Sequence, residues 1–310
     1  MSLTLLFSAP ERLWSSYETA LPTALEKAGL DAHLTRDAAP EEVDYIVYAP
    51  NDTLTDFTPY INAKAVLSLW AGVEKIAPNP TLTQPLCRMV DPGLALGMRD
   101  YVVGHVMRYH LGMDRHIHGL NGKWDHVTPP LVKDRSVTVL GLGELGQICA
   151  TALAQLGFAV TGWSRRPKEI DGLNCLHGPD GLAQALSTAD ILVTLLPDTN
   201  ATQNTLNADT LALMPKGAQI VNPGRGTLID DDALLAALDS DQIGHATLDV
   251  FRTEPLPADH PYWSHPKVTV TPHIAAETRA DTACDVIAEN IRRSEAGEPL
   301  LHLVNRHAGY

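Results

Sequence analysis

The chain has 310 residues, 45% hydrophobic and 19% charged, which suits a soluble protein of two compact domains. Its formal net charge of −14 excludes a broad electrostatic grip on nucleic acid, so an anionic substrate needs a local positive site. No stretch reaches the roughly 18 apolar residues of a membrane span, and the opening residues lack the basic start of a signal peptide. Cys87, Cys149, Cys175 and Cys284 form no Cys-x-x-Cys pair, so the expectation is a cytoplasmic protein with reduced thiols and no membrane or nucleic-acid partner.

Residues 3–7 are a short apolar run that suits a buried strand. Residues 10–28 place Leu13, Tyr17, Leu21, Leu25 and Ala28 at helical spacing, and Gly29 supplies a stop. Tyr45–Tyr48 and residues 65–69 read as further strands. Residues 92–118 read as one long helix, in which Tyr101, His105 and Arg108 recur at helical spacing beside Val102, Val106 and Tyr109. The connection after it ends in Thr128-Pro129-Pro130. A second series follows, with strands at residues 136–140, 158–163, 191–196, 218–222, 245–250 and 268–270. Helices are expected at residues 147–156, 230–238 and 277–296. Strands alternating with helices imply parallel sheets flanked by helices.

Gly141-Leu142-Gly143-Glu144-Leu145-Gly146 lies between a strand and a helix, the context a dinucleotide fingerprint requires. Gly141 permits the tight turn, Gly143 lets the backbone approach a pyrophosphate, and Gly146 lets helix and strand pack closely. The helix N-terminus offers N–H groups and a positive dipole end to the phosphates. At the end of the next strand, where an NAD enzyme usually carries an acid, the residues are Ser164-Arg165-Arg166. Two guanidiniums attract a 2′-phosphate and bond it bidentately, so NADPH is expected over NADH. The alternative for the pair is a solvated surface turn.

Three polar residues fall at or just after strand ends: Arg225 in Asn222-Pro223-Gly224-Arg225-Gly226, Glu254 after Leu248-Asp249-Val250-Phe251, and His273 in Thr271-Pro272-His273. Reduction of a 2-oxoacid creates an alkoxide that must be protonated. A histidine titrates near neutrality and can deliver that proton, a carboxylate can orient its ring, and an arginine can bind the substrate carboxylate. Each residue alone has a structural reading, and the combination carries the inference. There is no His-Glu-x-x-His, and His116 and His118 do not share a helix face, so no metal site is expected.

These segments, in this order and spacing, resemble the D-2-hydroxyacid dehydrogenase family over nearly the whole chain. The resemblance rests on the glycine loop, Leu195-Leu196-Pro197, residues 222–226, Leu248 to Glu254 with Pro255-Leu256-Pro257, and Thr271 to Ala276. Trp163-Ser164-Arg165-Arg166, residues 231–239 and the closing Gly309-Tyr310 look most like the glyoxylate/hydroxypyruvate reductase A group within it. The resemblance implies an α/β fold of two Rossmann-like, doubly wound parallel-sheet domains with a cleft between them. The substrate domain would take residues 1–98 and 276–310, and the cofactor domain 99–275.

It further implies an NADPH-dependent reductase of a small 2-oxoacid such as glyoxylate or hydroxypyruvate. Arg225 would bind substrate, His273 would be the acid/base and Glu254 its partner. Ala71, Gly72 and Val73 would present N–H groups to the substrate carboxylate, with Tyr48 facing the pocket. Glu144 and Leu145 would join the phosphate turn, and Leu196, Pro197, Asn222, Pro223, Gly224, Asp249 and Ala275 would line the cofactor. A homodimer is implied, with Trp124 either entering the partner's site or serving as an ordinary interface or core residue. Trp70 replaces a usually small residue and bears on pocket size, and Pro223 also departs from the common pattern. Two other readings stand beside this one: an NADH-dependent reductase of a bulkier 2-oxoacid, and a non-enzymatic nucleotide-sensing interaction protein. A pure sensor has no need of a proton donor, which weighs against the second.

Overall fold

A computed structural model of the chain describes residues 2–117 and 122–306. His118 and the closing Gly309-Tyr310 lie outside the described residues. The chain forms two compact units, Met1–Leu94 with Glu277–Tyr310, and Ala95–Ala276.

The first unit is built on the parallel strands β1 (Leu3–Ser8), β2 (Ala32–Thr35), β3 (Tyr45–Tyr48), β4 (Ala65–Ser68) and β5 (Leu86–Cys87), in the order β2-β1-β3-β4-β5. Strands covered on both faces read as unbroken apolar runs, and the alternation of side chains then divides each run between two cores. Leu5, Phe7, Tyr45, Val47 and Leu67 point to one face, where helices α1 (Glu11–Tyr17) and α2 (Ala20–Lys27) and the C-terminal helix Ala280–Glu295 cover them. Leu6, Ile46, Tyr48 and Val66 point to the other, against Phe57 and Leu82.

The single helix expected over residues 10–28 is two helices, broken at Glu18-Thr19. Pro22 explains the break. In an uninterrupted helix its ring would meet the carbonyl of Glu18, whereas in the first turn of α2 it costs nothing. Strands β2 and β5 escape the sequence reading. His33 and Thr35 dilute the pattern of the first, and the second is only two residues long.

The second unit holds the parallel strands β6 (Ser136–Leu140), β7 (Ala159–Ser164), β8 (Asn174–His177), β9 (Ile191–Thr194), β10 (Ala218–Asn222), β11 (Ile243–Leu248) and β12 (Val268–Val270), in the order β12-β11-β10-β9-β6-β7-β8. Helices α3 (Pro92–His110) and α5 (Glu144–Gln155) bury Val102, Val106, Cys149 and Leu153 on one face. Helices α6 (Gly178–Ser187), α7 (Ala208–Ala212) and α8 (Asp231–Asp239) bury Leu186, Leu211, Leu234 and Leu238 on the other. The helix expected over residues 92–118 ends at His110. Gly112 turns left-handed at φ +60°, and the short helix α4 (Asp114–Ile117) follows. Strand order reverses between β6 and β9, so their carboxyl ends form the topological switch point where open α/β sheets bind ligands.

Candidate active site

The glycine turn leaves β6 at that switch point. A Cβ on Gly141, whose φ is +101°, would lie 2.5 Å from the Leu195 carbonyl oxygen, so only glycine lets the turn pass the β9 loop. A Cβ on Gly146 would lie 1.7 Å from the Gly141 carbonyl oxygen, which enforces the close helix–strand approach. Gly143 is the opposite case, with open space around its Cβ position. It caps α5 without a side-chain hydrogen bond, leaving first-turn N–H groups for an anion. This cradle fits a pyrophosphate. Leu196 is buried beside it, and the Pro197 carbonyl accepts from the Thr202 hydroxyl at 2.6 Å.

At the end of β7, Ser164 turns inward and its hydroxyl donates to the Arg166 carbonyl at 2.7 Å, which ties the turn. Arg165 and Arg166 are exposed beyond it. The structure adds Lys168, which sequence reading does not single out. Its ammonium donates to the Leu142 carbonyl inside the glycine loop, beside the 3.0 Å bond from Gln147 Nε2 to the same oxygen. One cation of the run Arg165-Arg166-Pro167-Lys168 thus stands at the glycine turn, and that run was its sequence signal.

The catalytic candidates converge through their loops. Asn222 is buried at the end of β10. Its Oδ1 accepts from the Thr194 hydroxyl at 2.6 Å and from Gly224 N–H at 3.2 Å, and its Nδ2 donates to the Arg225 carbonyl at 3.0 Å. These bonds shape the Pro223-Gly224 turn that presents Arg225. Gly226 lies so close to Phe251 that a Cβ would sit 2.0 Å from its carbonyl carbon, which sets the Arg225 turn against the loop carrying Glu254. Glu254 Oε1 accepts from Phe251 N–H at 2.9 Å, and Oε2 lies 2.7 Å from His273 Nδ1. With Nδ1 held by the carboxylate, Nε2 is the ring atom left to face a reactant. The His273 side chain is 52% exposed, so a reactant can reach it.

His273 is left-handed at φ +54°, a conformation that costs a non-glycine residue about 1–3 kcal/mol and needs support. Asp249 supplies it. This fully buried carboxylate accepts from the Thr271 hydroxyl at 2.6 Å and Ile274 N–H at 2.9 Å through Oδ1, and from Ala275 N–H at 2.9 Å through Oδ2. Its backbone carbonyl accepts His273 N–H at 2.8 Å. An acid closing a buried apolar strand is itself a signal that such partners must exist.

In the first unit, Tyr48 packs edge-on against Phe57 at 5.4 Å, with its hydroxyl 3.5 Å from the Leu54 carbonyl. Ala71, Gly72 and Val73 follow β4, and Val73 is buried. Trp70 packs against the core face of α1 and α2, the face opposite Tyr48. In the second unit, Trp124 is 95% exposed. Among the described residues no group of three or more His, Cys, Asp or Glu side chains could hold a metal, and no helix is long and apolar enough to cross a membrane. All four cysteines are free, and burial pushes the Cys87 thiol up to about 11 and those of Cys149 and Cys284 to about 12.

Fold and site together define a parallel-sheet α/β protein with a dinucleotide-type turn at its switch point. Residues 103–275 match the family model of the D-isomer specific 2-hydroxyacid dehydrogenase NAD-binding domain. The chain belongs to the D-isomer specific 2-hydroxyacid dehydrogenase family. It is 35% identical to glyoxylate/hydroxypyruvate reductase A of Yersinia enterocolitica, over 99% of this chain and 100% of that protein. It resembles, with 38% identity and a TM-score of 0.91 over 100% of both chains, a D-isomer specific 2-hydroxyacid dehydrogenase of Xanthobacter autotrophicus Py2 solved with NADPH and MES. An NADPH-dependent glyoxylate/hydroxypyruvate reductase of Sinorhizobium meliloti solved with NADP and sulfate aligns at 32% identity and a TM-score of 0.86, again over 100% of both chains.

Proposed function

We propose that this protein reduces a small 2-oxoacid, glyoxylate to glycolate or hydroxypyruvate to glycerate, with NADPH. The observation that carries the reading is the imidazole of His273 held at Nδ1 by Glu254 beside the Arg225 turn. The glycine turn would hold the cofactor's pyrophosphate, and Arg165, Arg166 and Lys168 its 2′-phosphate. Bound there, the cofactor supplies the hydride. The chain supplies the rest. The Arg225 guanidinium grips the substrate carboxylate and polarises the neighbouring carbonyl. His273 hands a proton from Nε2 to the substrate oxygen, and Glu254 keeps the ring in the tautomer and orientation that this transfer needs. The first unit would act as substrate domain, with the N–H groups of Ala71, Gly72 and Val73 as its contacts to a carboxylate. Trp70 is half-buried and packs against the core of its own unit, so its bulk by itself is no argument for an unusual substrate size. The absence of any disulfide among the four cysteines suits a reducing, cytoplasmic setting.

Initial rates with NADPH and with NADH, on glyoxylate, hydroxypyruvate, pyruvate and phenylpyruvate, test this reading. The expected result is NADPH-dependent turnover of glyoxylate and hydroxypyruvate. Replacing Arg165, Arg166 and Lys168 with serine should raise KM for NADPH by about 100-fold and leave NADH within about threefold, as loss of charge-assisted bonds predicts. Turnover confined to phenylpyruvate or to NADH overturns the assignment, and inactivity toward all four favours nucleotide sensing.

The same reading includes a homodimer through the segment after α3. Leu111, Met113, Ile117, Trp124, Val127 and Leu131 are all exposed there, a run of large apolar side chains that a partner subunit would cover. Light scattering should return twice the chain mass, and a monomer at micromolar concentration would sink the dimer.

A further inference from the structure

Helix α3 carries a polar stripe that the reaction outlined above does not use. Tyr101 and His105 stack with ring centroids 4.5 Å apart, and Arg108 one turn further on donates to Thr269 Oγ1 at 2.9 Å and to Asp114 at 2.7 Å. Such a stripe on a half-buried helix face is costly where its groups are left unsatisfied. Tyr101 is satisfied in a telling place. Its hydroxyl lies 2.7 Å from Thr271 Oγ1, two residues before His273.

The direction of that bond follows from its neighbour. The Thr271 hydroxyl lies 2.6 Å from Asp249 Oδ1, an oxygen that also receives Ile274 N–H and therefore accepts. A hydroxyl has one proton, and Thr271 gives its own to Asp249. Thr271 then accepts from Tyr101, and the chain runs Tyr101 O–H to Thr271 O–H to the Asp249 carboxylate. Burial pushes the Tyr101 phenol well above its usual range, so it remains the donor at working pH. The carboxylate at the end of the chain receives the Ile274 and Ala275 N–H groups that follow His273. One acceptor thus holds both flanks of a left-handed residue whose imidazole must stay on Glu254.

We propose that Tyr101 is a positioning residue for His273, acting through the Thr271 hydroxyl and the Asp249 carboxylate to hold the turn that aims the imidazole. The inference rests on the reading of His273 as the proton donor. Tyr101 touches no reactant. It fixes the orientation of Thr271, and through it the side-chain oxygen around which residues 273–275 fold. Misplacing a catalytic group by about 1 Å can cost up to about 100-fold in rate, so a loop loosened at one anchor should lose rate rather than affinity.

Tyr101→Phe removes only the hydroxyl. The expected result is a fall in kcat of about tenfold, with KM for the oxoacid and for NADPH within about twofold of wild type. Thr271→Val breaks the chain at its next link and should match it, and the double variant should be no worse than the more severe single one, because both act on one route. Tyr109→Phe is the structural control. Its buried hydroxyl bonds Thr247 Oγ1 at 2.7 Å and touches no residue of the 271–275 loop, so the change should lower Tm while leaving kcat intact. A readout independent of turnover accompanies these rates: backbone amide exchange at Ile274 and Ala275 should speed up about tenfold in Tyr101→Phe and stay unchanged in Tyr109→Phe.

Equal kcat in wild type and Tyr101→Phe, unchanged exchange at Ile274 and Ala275, or the same kcat loss in both tyrosine variants overturns the proposal. If the wild-type protein reduces none of the 2-oxoacids, the proposed function fails, and the exchange measurement still decides whether Tyr101 holds the loop.

Discussion

Two regions of this molecule are both doubly wound parallel sheets and differ in what they can bind. Each unit has a parallel sheet whose strand order reverses, in the first between β1 and β3, in the second between β6 and β9. At the first reversal the strand runs into Ser8-Ala9-Pro10. The Asn51 amide closes it, donating to the Ser8 carbonyl at 3.0 Å, the Ser8 hydroxyl at 3.1 Å and the Ala49 carbonyl at 2.8 Å. Pro10 has no N–H to offer, and α1 ends after seven residues. At the second reversal the strand runs into three glycines, two of them crowded and one open, and α5 continues for twelve residues. The fold provides a crevice in both units. Turn chemistry decides which crevice can take a phosphate.

The largest expected effect sharpens this contrast. Gly146→Ala puts a methyl carbon on the Gly141 carbonyl, backbone against backbone, so neither side can yield. Stability should fall by more than about 3 kcal/mol, and NADPH binding should be lost in whatever protein remains folded. The matched change in the other crevice, Ala9→Gly, should cost less than about 1 kcal/mol and confer no nucleotide affinity. Denaturant unfolding and NADPH fluorescence titration on both variants check the pair. Nucleotide binding gained by Ala9→Gly, or Gly146→Ala binding like wild type, would break the comparison.

A smaller effect concerns surface charge in the first unit. Arg292 and Arg293 flank Glu289 on the C-terminal helix and hold its carboxyl down at about 2, against a usual 4.5. Its folded-state value is depressed, so its stabilising contribution is complete above about 4.5 and is lost as pH falls toward about 2. Glu289→Gln should therefore lower Tm slightly at pH 7, with the difference from wild type narrowing below pH 4.5. These three side chains are about one-third exposed and screened by salt, so the change should be the smallest of those named here. A difference that widens on acidification reverses the assigned sign.

The strands and site loops that were legible in sequence share a property: their signal is local. β1, β3, β6, β10 and β12 are compact apolar runs, and Gly141 to Gly146 is a contiguous turn, so neighbouring residues suffice to read them. β8 was not legible, because an edge strand of four residues with Asn174 and His177 at its ends has only one strand partner and little apolar content. The helix over residues 10–28 was half legible. Its hydrophobic spacing is real, but the position of Pro22 breaks it. Arg225, Glu254 and His273 stood out because each follows a readable strand. Lys168 did not, and Tyr101 stood out only as part of a helical stripe, because what makes them notable is a partner far along the chain, Leu142 for one and Thr271 for the other.

The sequence alone determined the alternation of strand and helix, the phosphate turn and the family, since periodicity and short motifs are properties of adjacent residues. Tertiary structure alone decided that Asp249 anchors both flanks of His273, that Trp70 faces the core of its own unit, and that the polar stripe of α3 reaches the loop of the proton donor. The first and last of those facts depend on how β11 and β12 lie against α3, and hydrogen-bond partners 22 and 170 residues apart leave no trace in the spacing of the chain.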